Sequence, residues 1–149
     1  PVAWGVEAFN AANQTREHVF LPKIDMWMDI DKVDNGFDVR ARTECEMDRI
    51  TFQIEVAFRG PGHWETEQQV TKVTDGQTAI LKEGYGIFHT GNHGFRIGPG
   101  AISHRMWNMR AANAGPGFRV IMTFESPVDH CLEIRYGVWS SATHELIVG

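Results

Sequence analysis

The sequence predicts one all-β domain over residues 1–149, an antiparallel sandwich, jelly roll or barrel. Three observations predict this class. Apolar and polar residues alternate in several short runs, glycine-rich turns separate those runs, and helix-favouring sequence is confined to one short segment at 6–18. A chain of 149 residues with 42% hydrophobic and 22% charged residues is typical of a single globular domain.

Four runs alternate with a period of two residues, which is typical of strands with one buried face. They span residues 24–31, 50–58, 120–124 and 132–138. In the first run, isoleucines and methionines alternate with aspartates. In the longest run, 50–58, isoleucine, phenylalanine and valine share one face and Glu55 lies on the other. We expect the apolar face of that run to point inward, and Glu55 to be exposed or paired with an arginine.

Turn sequences separate these runs at short intervals. Asn35-Gly36 and Asp75-Gly76 are dipeptides that adopt the positive backbone φ of tight turns. Further glycine clusters lie at 60–62, 91–94 and 98–100. This spacing predicts strands joined by hairpins and short loops.

Charge and cysteine content narrow the range of partners. The net charge is −5, from 14 Lys+Arg against 19 Asp+Glu, and no basic stripe is present, so we expect no nucleic-acid partner. No apolar run approaches the ~20 residues of a membrane span, so we expect no membrane partner.

Cys45 and Cys131 fit reduced thiols in a cytoplasmic protein, although one bridge between them remains open. We expect the start at Pro1 to reflect removal of an initiator Met, or a boundary of the sequence, rather than a catalytic N-terminal amine.

The first segment with candidate chemistry is residues 62–69, after the Gly60-Pro61-Gly62 turn. If the chain is extended there, His63, Glu65, Glu67 and Gln69 point to one face. An imidazole, carboxylates and an amide on one face suit a metal or acid/base site. The alternative is a polar strand face in contact with solvent.

The second segment is residues 98–108. A Gly98-Pro99-Gly100 turn precedes His104 at the start of a predicted strand. Because proline fixes φ and glycine allows close backbone approach, this turn can aim the imidazole of His104. The alternative is a histidine that only bonds a turn carbonyl. We predict that His104 is the functional centre.

Together, the spacings of the two segments resemble the two motifs of the cupin superfamily, over residues 50–124, about half of the chain. The residues at motif positions are His63, Glu65, Gln69, Gly76, Pro99, Ala101, His104 and Asn108. Glu65 and Gln69 stand where the family has histidine and glutamate.

The resemblance implies a jelly-roll barrel with an interior pocket. It implies either one divalent transition metal (Fe, Mn, Ni or Zn) bound by His63, Glu65, Gln69 and His104, or none. Without a metal, His104 is expected to act as a general acid or base, together with Glu65. Glu55 would join the catalytic residues if its side of the strand faces the interior.

Other polar residues leave alternatives open. His89 and His93 flank a glycine-rich turn and are either a ligand pair or two surface histidines. Arg96, Arg105 and Arg110 either bind a carboxylate or phosphate group or balance the acidic chain.

Five tryptophans are many for this length. Trp64 and Trp107 each adjoin a candidate ligand and, by parity, point away from it. This favours packing inside a sandwich, although exposed aromatics would also suit a sugar face.

Two function classes follow. The first is a small cupin-like enzyme of the isomerase, lyase or oxygenase type, acting on an organic small molecule through His104, His63 and Glu65. The second is a non-catalytic β-sandwich, either a carbohydrate-binding module or the small or accessory subunit of a larger carbohydrate-active enzyme. We expect the partner to be a small-molecule substrate. The sequence leaves open whether the protein forms a homodimer or is a subunit of a hetero-oligomer.

Overall fold

A computed structural model describes residues 11, 14, 23–47, 50–67, 69–102 and 116–149. Strands contain 68% of the described residues and the sheets pack as a sandwich, so the predicted all-β antiparallel sandwich is confirmed. Only Ala11 and Gln14 of the predicted helical segment 6–18 are described, and both have helical backbone. Within these ranges, no helix has the length and apolar character needed to span a membrane.

The described residues form eleven strands. Their bounds are β1 Ile24–Val33, β2 Gly36–Cys45, β3 Thr51–Phe58, β4 Gly62–Thr66, β5 Gln69–Val73, β6 Thr78–Ile80, β7 Gly86–Thr90, β8 His93–Gly98, β9 Phe118–Glu125, β10 Val128–Ser140 and β11 Glu145–Ile147.

The strands form two sheets. The larger has eight strands in the order β1-β2-β10-β8-β7-β4-β5, with β11 beside β10. The smaller has three strands in the order β3-β9-β6. Neighbouring strands are antiparallel except β6 and β9, which pair in parallel. We call the face of the larger sheet that is turned toward the smaller one the inner face, and the opposite face the outer face.

The core lies between the two sheets. Its buried residues are Phe58, Trp64, Val73, Leu81, Phe88, Ile97, Phe118, Val120, Met122, Phe124, Val128 and Leu132. Phe52, Ile54 and Val56 of β3 pack against this cluster, as predicted. Glu55 is exposed on the other side of β3, with Oε2 3.9 Å from Nε of Arg119. The predicted orientation of β3 is therefore confirmed.

The Asn35-Gly36 turn joins β1 to β2, as predicted. Asn35 adopts a φ of 59° in the left-handed region. A Cβ atom at Gly36 would lie 1.9 Å from the carbonyl oxygen of Ile134 on β10. Only glycine lets the start of β2 approach β10 this closely.

The apolar face of β1 differs from the expectation. The alternation predicts a buried face, but Met26, Met28 and Ile30 are 58–66% exposed, and Ile24 is 40% exposed. Among the described residues, the buried core cluster takes no member from β1. The larger sheet has more strands than the smaller one, so its end strand extends beyond the surface that the smaller sheet covers.

Candidate functional site

His63 and Glu65 lie on β4 and point to the outer face of the larger sheet. Trp64 between them is 2% exposed and belongs to the core, so its two neighbours must point the other way. The predicted orientation of Trp64, away from the candidate ligands and into the sandwich, is confirmed.

Gln69 lies on the opposite face from His63 and Glu65. The chain turns back after Thr66, and Thr66 is paired directly with Gln69 across the β4–β5 hairpin. Directly opposed residues share a face, which places Gln69 on the inner side together with Trp64. The expectation of one extended strand over 62–69 is therefore wrong, because a hairpin turn interrupts it.

The remaining candidates are separate from this hairpin. Glu55 lies on β3 of the smaller sheet, where it accepts a hydrogen bond from the side chain of Gln53. His104 lies outside the described residues, as do Arg105, Trp107 and Arg110. Of the predicted site residues, the structure places His63 and Glu65 on one face, and Gln69 and Glu55 elsewhere.

Glu65 has two histidine partners that sequence reasoning did not assign to it. Its Oε1 lies 2.9 Å from Nε2 of His89, and its Oε2 lies 3.2 Å from Nδ1 of His144. We call Glu65, His89 and His144 the Glu65 cluster. Glu65 and His89 are buried, whereas the side chain of His144 is 66% exposed. The cluster joins β4, β7 and the turn before β11.

Aromatic rings enclose His89 on both sides. Its ring stacks on Trp139 with a centroid distance of 4.1 Å and an interplanar angle of 14°. His63, directly opposite His89 in the strand register, stacks at a centroid distance of 5.2 Å. These contacts hold the imidazole of His89 in one orientation toward Glu65.

The hydrogen bonds decide which nitrogen of each neutral imidazole carries the proton. An ionised carboxylate only accepts hydrogen bonds, so His89 donates from Nε2 and His144 donates from Nδ1. The Nε2 atom of His144 is then left as an acceptor on a largely exposed ring. The arrangement can orient an imidazole for proton transfer.

The predicted metal ligands do not converge in the described part of the chain. His63 and Glu65 are on the outer face, Gln69 is on the inner face, and both oxygens of Glu65 already accept from histidines. Within the described ranges, no group of three or more His, Cys, Asp or Glu is arranged to hold a metal ion. These residues do not fit the site that the resemblance implies.

A cleft of about 740 Å³ opens between the β4–β5 hairpin and residues 77–85. We call it the inter-sheet cleft. Its floor consists of the core residues Trp64, Val73, Leu81 and Phe118, all buried. The floor is therefore apolar.

The rim of the inter-sheet cleft is polar. The neutral polar residues that line the cleft are Thr66, Gln69, Thr71, Gln77, Thr78 and Tyr85, and the charged ones are Glu67, Lys82 and Glu83. Within the described part of the chain, the side chains of Gln69, Thr71 and Thr78 make no hydrogen bond. Gln77 accepts one from the backbone N–H of Thr74 at 2.7 Å, which orients its amide.

Tyr85 is 38% exposed and lines the edge of the cleft, but its ring lies on the outer face of the larger sheet. The guanidinium carbon of Arg96 lies 5.0 Å from its ring centroid, a cation–π distance. The ring also packs on Gly98, where a Cβ atom would lie 2.6 Å from Cδ1 of Tyr85. Ile97, between Arg96 and Gly98, belongs to the core, so both contacts place the ring on the outer face, away from the cleft.

The described residues therefore form an all-β sandwich that carries the Glu65 cluster on one face of the larger sheet and the inter-sheet cleft on the other. No family model matches the chain, and neither a curated protein nor a solved structure shows significant similarity to it.

The sequence offered weak evidence for the two cluster histidines. His89 was recognisable only as a histidine beside a turn. His144 is 79 positions from Glu65, and no local spacing relates the two. Their pairing depends on strand order and register.

Proposed function

We propose that the protein is a ligand-binding β-sandwich domain that takes a small organic molecule into the inter-sheet cleft. The observation that carries the proposal is the cleft itself. Its volume of about 740 Å³ falls within the ~300–1,000 Å³ of typical small-molecule sites. An apolar floor below hydrogen-bonding side chains is the usual composition of such sites.

The state of the rim side chains supports binding. Gln69, Thr71 and Thr78 make no hydrogen bond within the described ranges, so solvent water hydrates them in the free protein. A ligand with matching groups can replace that water without breaking any of the hydrogen bonds that hold the fold. The hairpin and the core residues below it are formed already, which reduces the ordering cost of binding.

Chemical-shift mapping tests the proposal. The full chain is labelled with ¹⁵N and titrated with a library of small soluble fragments. We expect the strongest shifts at amides of β5 and residues 77–85. Thr71→Trp, which fills the cleft from the inner face, should abolish them.

Lys72→Trp is the matched control, because Lys72 is the next residue and lies on the outer face. It should leave the shifts intact. Fragment shifts that cluster around Glu65 and His144 instead, or that survive Thr71→Trp, would contradict the proposal.

A second candidate function is acid–base catalysis at the Glu65 cluster on an organic small molecule, of the isomerase or lyase type. One specific observation favours it: Oε2 of Glu65 lies 3.2 Å from Nδ1 of His144, and the 66% exposed ring presents Nε2 to solvent. This chemistry requires no metal. It predicts that Glu65→Gln lowers turnover and that Thr71→Trp does not. For ligand binding in the cleft we expect the reverse, since Thr71→Trp should abolish binding and Glu65→Gln should not.

A further inference from the structure

The smaller sheet covers only part of the inner face of the larger sheet. On β10, Leu132 lies in the core, whereas Tyr136 and Val138, which share its face, are 48% and 53% exposed. The end strand β3 of the smaller sheet reaches β8 through a contact between Phe58 and Phe95. The uncovered part of the inner face therefore lies between β3 and the end strand β1 of the larger sheet.

The register of the larger sheet joins the exposed apolar side chains of this area into one surface. Phe95 is directly opposite Tyr136, and directly opposed residues share a face. On the other side of β10, the register carries the same face through β2 to β1, and β11 extends it beyond β2. We call this area the uncovered inner surface. Its large apolar residues, each 39–66% exposed, are Ile24, Met26, Met28, Ile30, Phe37, Phe95, Tyr136, Val138 and Ile147.

The size of the uncovered inner surface matches a dimer interface. Large side chains expose ~150–250 Å² each when fully accessible, so nine that are about half exposed present on the order of 900 Å². The largest apolar patch of a typical monomer covers about 300–600 Å². A stable, specific interface buries about 800 Å² per partner. The surface is therefore large for a monomer and sufficient for one interface.

The distribution of charge suits contact between identical surfaces. The ionisable side chains of β1, β2 and β10 are concentrated on the outer face, where Asp29 pairs with Arg42 and Arg40 pairs with Asp129. On the inner face of the strands that form the surface, the charged residues are Lys32 and Glu145, which have opposite signs. Depletion of charge is typical of the centre of an interface. Two such surfaces meet without like-charge repulsion.

We propose that the uncovered inner surface is the interface of a homodimer, so that its partner is a second copy of this chain. The deficit lies in one layer only. In a pair related by a two-fold axis, the larger sheet of each copy fills the layer that the smaller sheet of the other leaves open. The end strands β1 and β3 of different copies then become neighbours, which also covers two sheet edges. The inter-sheet cleft beside β5 is at the other end of the larger sheet and stays open.

Sedimentation velocity of the full chain tests this inference over a concentration series of ~1–100 µM. We expect a dimer of twice the 16.8 kDa chain at the upper concentrations. In a sample mixed from ¹³C-methyl-labelled and unlabelled copies, isotope-filtered contacts between copies should involve the methyl groups of Met26 and Met28. This second measurement uses the wild-type protein and does not depend on whether a variant folds.

Lysine substitutions at two ends of the surface separate this interface from others. Met28→Lys and Tyr136→Lys should each weaken the dimer by at least ~10-fold, since each buries a charge at an apolar contact. Trp27→Lys is the matched control, because Trp27 is the neighbour of Met28, is also exposed, and lies on the outer face. It should leave the dissociation constant within about twofold of the wild type. Circular dichroism establishes that each variant is folded.

Three results would overturn the inference. A wild-type chain that stays monomeric at the highest concentration would show that water, another part of this chain or a different protein covers the surface. A dimer that survives in folded Met28→Lys and Tyr136→Lys would have its interface elsewhere. Dissociation by Trp27→Lys to the same extent would assign the interface to the outer face.

Discussion

The Glu65 cluster and the inter-sheet cleft lie on opposite faces of one hairpin. On the outer face, both oxygens of Glu65 are bonded to imidazoles within the protein. On the inner face, Gln69 and Thr71 make no such bonds within the described ranges. Polar groups that bond each other stabilise the fold, and polar groups left to water are available for recognition. Residue type alone does not distinguish the bonded polar groups from the hydrated ones, since both faces carry polar side chains.

Trp64 should give the largest effect, because it separates the two regions. The residue is 2% exposed, and its ring fits so closely that a Cβ at Gly86 would lie 2.2 Å from it. Trp64→Ala should lower the free energy of unfolding by ~3–5 kcal/mol. Urea unfolding of the variant and the wild type measures this difference in the free energy of unfolding.

Trp27→Ala is the matched control, since Trp27 is 42% exposed on β1. Trp27→Ala should lower the free energy of unfolding far less than Trp64→Ala does. Equal costs for the two tryptophans would show that the core does not lie where the structure places it.

A direct comparison of the two faces should give the next largest effect. Glu65→Gln replaces the acceptor of two imidazole N–H groups, and Gln69→Ala removes a side chain that bonds nothing in the described part of the chain. We expect a loss of ~1–3 kcal/mol for the first and a change within about 0.5 kcal/mol for the second. Chemical denaturation of both variants at neutral pH is the measurement. Similar losses would remove the distinction between the two faces.

The smallest effect should come from an exposed ion pair elsewhere on the outer face. Arg40 donates from Nε and Nη2 to the two oxygens of Asp129, at 2.8 and 2.7 Å. These hydrogen bonds hold the pKa of Asp129 below its usual value. A depressed folded pKa contributes stability above the unfolded pKa of ~3.9, and this contribution is lost as pH falls through the lower folded value.

The stability difference between wild type and Asp129→Asn should therefore be small at neutral pH and should vanish in acid. Denaturation at a series of pH values measures it. A stability difference between wild type and Asp129→Asn that grows on acidification would contradict the stabilising effect assigned to the Arg40–Asp129 pair.

Much of the fold follows from the sequence because it depends on local patterns. Alternation identified the inward face of β3, and Asn35-Gly36 identified a turn. The exposure of Met26 and Met28 did not follow, because burial depends on how far the second sheet extends. The width of the second sheet cannot be read from a single sequence.

The candidate site was less accessible to sequence reasoning. The parity of His63, Trp64 and Glu65 was correct, since it depends only on the strand period. The position of Gln69 was missed because the chain reverses between Thr66 and Gln69, and a polar reversal resembles a polar strand in sequence. The role assigned to His104 stays a prediction, since that residue lies outside the described ranges.

The strict alternation of the hairpin also sets which genetic changes it tolerates. Thr71 faces the cleft and Lys72 faces outward. Deleting one residue within β5 would exchange the two faces from that point onward, bringing a lysine over the core and moving a threonine outside. Insertions or deletions of single codons in this strand should therefore be far more harmful than substitutions, and length variation among natural variants should be confined to the connection between Thr66 and Gln69.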